Sequence, residues 1–180
     1  SSSQHTDLLR PFIRELDINV DHDLAVMTPG QTPNAVLAKV LTALEPLFLA
    51  EKPDLVLVQG DTTTAIAGAL AAFYARIPVA HVEAGLRTGN RLSPFPEEMN
   101  RRLITQLADL HFAATPNNVD ILLAEGVQKE CIALTGNPVV DALQRILGRS
   151  TASPKLAQLL DSISGKRLIV LTTHRRENFG

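Results

Sequence analysis

The sequence predicts an α/β fold built on a doubly wound parallel sheet, and three features carry that prediction. Short runs rich in Val, Ile and Leu recur along the chain, at 54–59, 77–82, 110–114, 131–135 and 167–172. Runs of that length and composition read as strands buried on both faces. Ala-rich or amphipathic stretches of helical length alternate with them, the pattern of repeated βα units. Finally, several runs end directly on polar or glycine residues: Gly60-Asp61, Glu83, Gly136-Asn137 and His174. Open parallel sheets bind ligands beyond the carboxyl ends of their strands, so these residues are expected at one functional edge.

The elements follow in order. Residues 6–15 and 34–50 have helical patterning. Thr32-Pro33-Asn34 supplies a cap and a first-turn proline for the second helix, and Pro53 stops it. Strand 54–59 passes through Gly60-Asp61 into helix 62–75, whose alanines suit close packing on a sheet. Asp61 reads there as a helix cap, with a role at the ligand edge as the functional alternative. Strand 78–82 leads through Glu83-Ala84-Gly85 into a polar loop that reaches Pro96. Helix 97–108, strand 110–114, helix 117–125, strand 131–135 and helix 138–148 come next. Gly148–Pro154 has linker composition, and a short helix (155–163) and a strand (167–172) follow it. The expected division is a domain over 1–150, a linker region over 151–165 and the start of a second domain at 166–180. The last strand could equally complete the first sheet.

Composition narrows the function classes. With 45 % hydrophobic and 20 % charged residues, the chain is globular. No uninterrupted apolar run approaches the ~18 residues of a membrane span. Ser1–His5 lacks the basic stretch and apolar core of a signal peptide, so a cytoplasmic protein with no membrane partner is expected. Cys131 stands alone in a strand-like run, which reads as a small buried hydrophobe rather than half of an internal disulfide. A net charge of −2 argues against a nucleic-acid partner. The pairs Arg101-Arg102 and Arg175-Arg176 stand beside Glu97-Glu98 and Glu177, and guanidinium forks near strand ends suit phosphate.

The candidate chemistry lies in carboxylates and one histidine. Strand alternation places His81 and Glu83 on one face; a Glu there is either paired with Arg87 or Arg91 or, partly withdrawn from water, suited to proton exchange. Pro96 with Glu97-Glu98 matches a helix start, and Arg101, four residues after Glu97, falls on the same helix face. His174 closes an apolar strand beside two arginines. His22 and His111 read as ordinary loop and strand residues. There is no G-x-G-x-x-G and no G-x-x-x-x-G-K-[ST], and neither the His-x-x-x-His spacing nor the cysteine pairs of a metal site. No metal or organic cofactor is expected.

Taken together, Pro29-Gly30-Gln31-Thr32, Lys52–Thr64, Ile77–Gly89, Pro94–Arg101, Thr135–Leu143 and His174–Gly180 closely resemble, in order, the motifs of the non-hydrolysing UDP-N-acetylglucosamine 2-epimerases. The resemblance covers nearly the whole chain. It implies the N-terminal half of a GT-B-like enzyme, with two Rossmann-like domains facing across a cleft. It further implies interconversion of UDP-N-acetylglucosamine and UDP-N-acetylmannosamine through elimination and re-addition of UDP via a 2-acetamidoglucal. Asp61, Glu83 and Glu97 match the family's acid/base carboxylates, and His174 its catalytic or substrate-orienting histidine. Arg101 matches a position near the substrate, and Arg87, Asn137 and Arg175 are further candidate substrate contacts. Gln4-His5 resembles the opening of a Gln-His-Arg segment linked to allosteric substrate binding, with Thr6 replacing the arginine. Gln4, His5 and Gln31 are therefore the candidate effector site, and UDP-N-acetylglucosamine is the expected substrate and effector. The resemblance also implies a homodimer. The family's opening strand with its Gly-Thr-Arg-Pro-Glu motif, and most of its second domain, have no counterpart here, so this chain alone is expected to be weak or inactive. The alternatives are a hydrolysing relative releasing UDP and N-acetylmannosamine, and a non-catalytic UDP-sugar-binding module.

Overall fold

The computed structural model describes residues 6–149 and 153–171. Two helices come first, α1 (Thr6–Glu15) and α2 (Pro33–Glu51). Strands and helices then alternate: β1 (Val56–Gln59), α3 (Thr63–Tyr74), β2 (Val79–Ala84), α4 (Glu97–Leu107), β3 (Leu110–Ala113), α5 (Pro116–Ala124) and β4 (Ile132–Leu134). Helices α6 (Pro138–Arg149) and α7 (Pro154–Ser162) follow. The strands form one parallel sheet in the order β1-β2-β3-β4, as the α/β prediction requires. Successive βα units give this order when every crossover keeps the same right-handed sense.

Register aligns Val58, His81, His111 and Ile132 across the sheet. This is the covered face. Val58 and Val79 pack with Ala65, Ile66, Ala69 and Ala72 of α3 and Ile104 of α4, while Ala113 and Ile132 pack with Val119 and Leu122 of α5. Small residues on α3 permit the close approach: a Cβ added at Gly68 would stand 3.2 Å from Val58 Cγ1. On the opposite face Leu57 is 56 % exposed, and Leu55 and Leu110 are exposed as well. Burial on both faces, expected of every strand, holds best along β2 and fails at β1 and β4, because α3, α4 and α5 lie on one side.

Other expectations need correction. Thr62 caps α3, its Oγ1 accepting from the Ala65 N–H at 3.2 Å, which leaves the Asp61 carboxylate available for other contacts. Cys131 lies half-buried in a 3-10 turn, Lys129–Cys131, just before β4. By length and composition α2 is apolar enough to cross a membrane, although its apolar residues do not form one uninterrupted run. Lys39, Glu45 and Pro46 break its run without making its average polar. Its Val36 and Val40 pack on Ala67 of α3. Residues 167–171, predicted as strand, form none, and Ile169 is 88 % exposed. Strand backbone needs a neighbour for its donors and acceptors, and no described strand lies beside this run.

Candidate active site

Strand ends β1, β2 and β4 deliver Gly60-Asp61, Glu83 and Gly136-Asn137 to one edge of the sheet. The start of α4 meets them there. Gly60 adopts φ +73°, and a Cβ on it would stand 3.4 Å from Glu83 Oε2. Glu83 itself sits at φ +71° in a bulge between Val82 and Ala84. Glu83 is thus the extra residue of the bulge, and strict strand alternation does not set the direction of its side chain. His81 turns into the fold, with Nε2 2.8 Å from the Gly60 carbonyl oxygen. Glu83 takes neither Arg87 nor Arg91; its Oε1 accepts from Asn137 Nδ2 at 2.9 Å. Asn137 also caps the following turn, its Oδ1 accepting from the Val139 N–H.

Asp61 is held by α4. Arg101 donates Nε (2.8 Å) and a terminal nitrogen (2.6 Å) to its Oδ2, and Asn100 Nδ2 donates to its main-chain carbonyl at 2.8 Å. The sequence paired Arg101 with Glu97; the helix instead turns Arg101 toward Asp61 and Glu98, whose Oε2 lies 3.1 Å away. Glu98 has 0 % of its surface exposed and also accepts from the Thr88 N–H and from Arg102 Nε. Burial alone would raise its carboxyl pKa. The Thr88 N–H, Arg102 and Arg101 outweigh that and hold it below the usual carboxylate value. Glu98 is thus an ionised anchor for cations, and the sequence reading passed over it. Its spacing to Arg101 and Arg102, three and four residues on, was the available signal. Glu97, one residue earlier, is half-buried and makes no hydrogen bond or ion pair among the described residues.

Other candidates resolve differently. Arg87 clamps Glu125 with two hydrogen bonds (2.8 and 2.7 Å) and also donates to the Leu86 carbonyl and Thr105 Oγ1. These contacts make it a tie between loop, α4 and α5 rather than a free cation. Gly85 (φ +83°) lets that loop lie against α5, where any Cβ would overlap the Asn118 backbone. Gln31 bridges its own loop, accepting from the Thr28 N–H and donating to the Val26 carbonyl. His111, expected to be unexceptional, is buried next to His81, and burial followed by the His81 charge lowers its pKa. His174, Arg175, Gln4 and His5 lie outside the described residues. Among the described residues, no group of three His, Cys, Asp or Glu side chains is placed to hold a metal ion. The edge therefore presents an Asp61 carboxylate anchored by Arg101 and a Glu83 carboxylate whose Oε1 is held by Asn137.

Residues 1–180 match a family model described as UDP-N-acetylglucosamine 2-epimerase. The UDP-N-acetylglucosamine 2-epimerase of Salmonella typhimurium is 47 % identical over 184 residues, covering 99 % of this chain and 49 % of that protein. Its namesake from Bacillus subtilis is 46 % identical over 179 residues, covering 99 % and 46 %. Among solved structures, UDP-GlcNAc 2-epimerase from Neisseria meningitidis bound to UDP-GlcNAc matches with a TM-score of 0.89 at 40 % identity, over 98 % of this chain and 49 % of that one. S. aureus MnaA with UDP matches with a TM-score of 0.91 at 44 % identity, over 99 % and 46 %. The chain spans about half the length of the curated relatives it matches.

Proposed function

The chain belongs to the UDP-N-acetylglucosamine 2-epimerase family, and we propose that it supplies the acid/base half of an active site that inverts C2 of UDP-N-acetylglucosamine. The observation that carries this reading is the grouping of Asp61, Glu83 and the start of α4 at one sheet edge, with Arg101 and Asn137 fixing two of the carboxylates. In the reaction a carboxylate removes the C2 proton while the C1–O bond to UDP breaks, leaving 2-acetamidoglucal. UDP oxygen then re-forms the bond to C1 as a proton is delivered to C2 from the opposite face. Glu83 and Glu97, each with a carboxylate oxygen lacking a partner among the described residues, exchange the protons. Asp61, held by Arg101, orients the sugar. His174 and Arg175 meet the departing diphosphate, where cationic and hydrogen-bonding groups stabilise developing charge.

The same reading places residues 1–150 in the first domain, 151–165 in a linker and 166–180 at the opening of the second. The exposed apolar run Leu168–Leu171 supports a further packing partner for that segment. A cytoplasmic homodimer belongs to the reading as well, supported by exposed Leu49, Phe73 and Tyr74 on α2 and α3; sedimentation velocity reads the dimer directly. The functional test follows UDP-N-acetylmannosamine by proton NMR, using this chain alone and joined at both ends to the flanking segments of the Bacillus subtilis relative. Turnover is expected in the joined protein, with Glu97→Gln and Glu83→Gln each lowering kcat by about 10²-fold or more. Free N-acetylmannosamine as the product, or full activity in both variants, would overturn it.

A further inference from the structure

The turn that carries Asp61 is held from α4 by Asn100 and Arg101. It is also held from β2, by a residue that takes part in no proton step. The His81 Nε2 atom lies 2.8 Å from the Gly60 carbonyl oxygen. A carbonyl only accepts, so Nε2 carries the hydrogen and donates it. In the neutral ring Nδ1 is then bare, and it has no hydrogen-bond partner among the described residues. The residue is 0 % exposed.

A buried polar atom without a partner destabilises the fold. An apolar side chain on this face would pack without that penalty, so the bond to Gly60 is what the imidazole contributes here. Its placement matters. The Gly60 N–H also donates to the Val82 carbonyl at 3.0 Å, so both polar groups of Gly60 are tied to β2. Two residues beyond His81, the same strand bulges to present Glu83, whose Oε2 stands against Gly60.

We propose that His81 is a positioning residue, an Nε2–H donor that clamps the Gly60 carbonyl and so fixes the Asp61 turn against the Glu83 bulge. The functional half of this proposal rests on the epimerase reading; the geometric half does not. The ring stays uncharged because burial lowers its pKa most strongly. The Gly60 carbonyl works against that shift, and the Arg87 charge adds to it.

The test uses nitrogen-15 histidine NMR and two variants. His81 is expected in the Nε2–H tautomer, with a ring that stays neutral below the ordinary histidine value of 6.5. His81→Phe keeps the ring-sized volume and removes the donor, whereas His81→Gln keeps a donor. In the Phe variant the Gly60 amide should exchange with solvent about tenfold faster or more. Its kcat in the joined protein should fall by about 10- to 100-fold with KM within about threefold, the signature of misplacement rather than lost binding. The Gln variant should recover most of both. An Nδ1–H tautomer, a ring titrating near the ordinary 6.5, or a Gln variant no better than Phe would overturn the proposal. If the Phe variant does not fold, the tautomer and the Gln variant still decide. If the unsubstituted joined protein shows no C2 chemistry, the epimerase reading fails by itself, and the tautomer and Gly60 exchange settle the clamp.

Discussion

Glu98 holds Thr88, Arg101 and Arg102 with none of its own surface in water, while Glu97 beside it touches no partner among the described residues. The two should therefore fail differently. Glu98→Ala takes from Arg101 one of its two carboxylate partners and leaves the Thr88 N–H without its acceptor, and is expected to cost about 1–3 kcal/mol in urea unfolding. Glu97→Ala should change stability by no more than about 0.5 kcal/mol yet abolish turnover. Equal losses of stability would contradict the assignment. Asp61, Glu83 and Asn137 were legible in the sequence because each stands at the carboxyl end of an apolar run, and the carboxyl ends of parallel strands share an edge. Which of two consecutive carboxylates turns inward was not legible, since the first turn of a helix accommodates a carboxylate at either position. The partner of Arg87 was not legible for a related reason: Glu125 lies 38 residues away, beyond any local spacing rule.

At the scale of elements, alternation of apolar runs and helical stretches located every described strand and helix to within a few residues. What it missed depends on neighbours. Residues 167–171 have a strand's composition and no ladder partner, and Leu57 has a buried strand's composition on an open face. The two faces of β1 give a direct test. Val58→Ala, under α3, should cost about 2 kcal/mol, whereas Leu57→Thr should stay within about 0.5 kcal/mol. A comparable cost for both would mean that the outer face is covered in solution. The cap of α3 shows the same limit: Asp61 and Thr62 are both good capping residues, and the backbone selects Thr62, freeing Asp61 for Arg101.

At the scale of the whole molecule, stability should depend on pH through buried side chains. His81 and His111 have lowered pKa values in the fold, so below about 6.5 the unfolded chain binds protons that the folded chain refuses. Their contribution is present above that pH and is lost as acid approaches the folded pKa values. Glu98, also lowered, adds a second loss once pH falls below its ordinary 4.5. Melting temperature should hold near pH 7 and above and decline as pH falls below about 6.5, and His111→Leu should flatten that decline; an unchanged slope would contradict it. The central claim, that this sheet edge exchanges the C2 proton, is tested most directly by running the joined protein in D2O with UDP-N-acetylglucosamine. Deprotonation and reprotonation at this edge require UDP-N-acetylmannosamine carrying deuterium at C2, and product that keeps protium there would contradict the account.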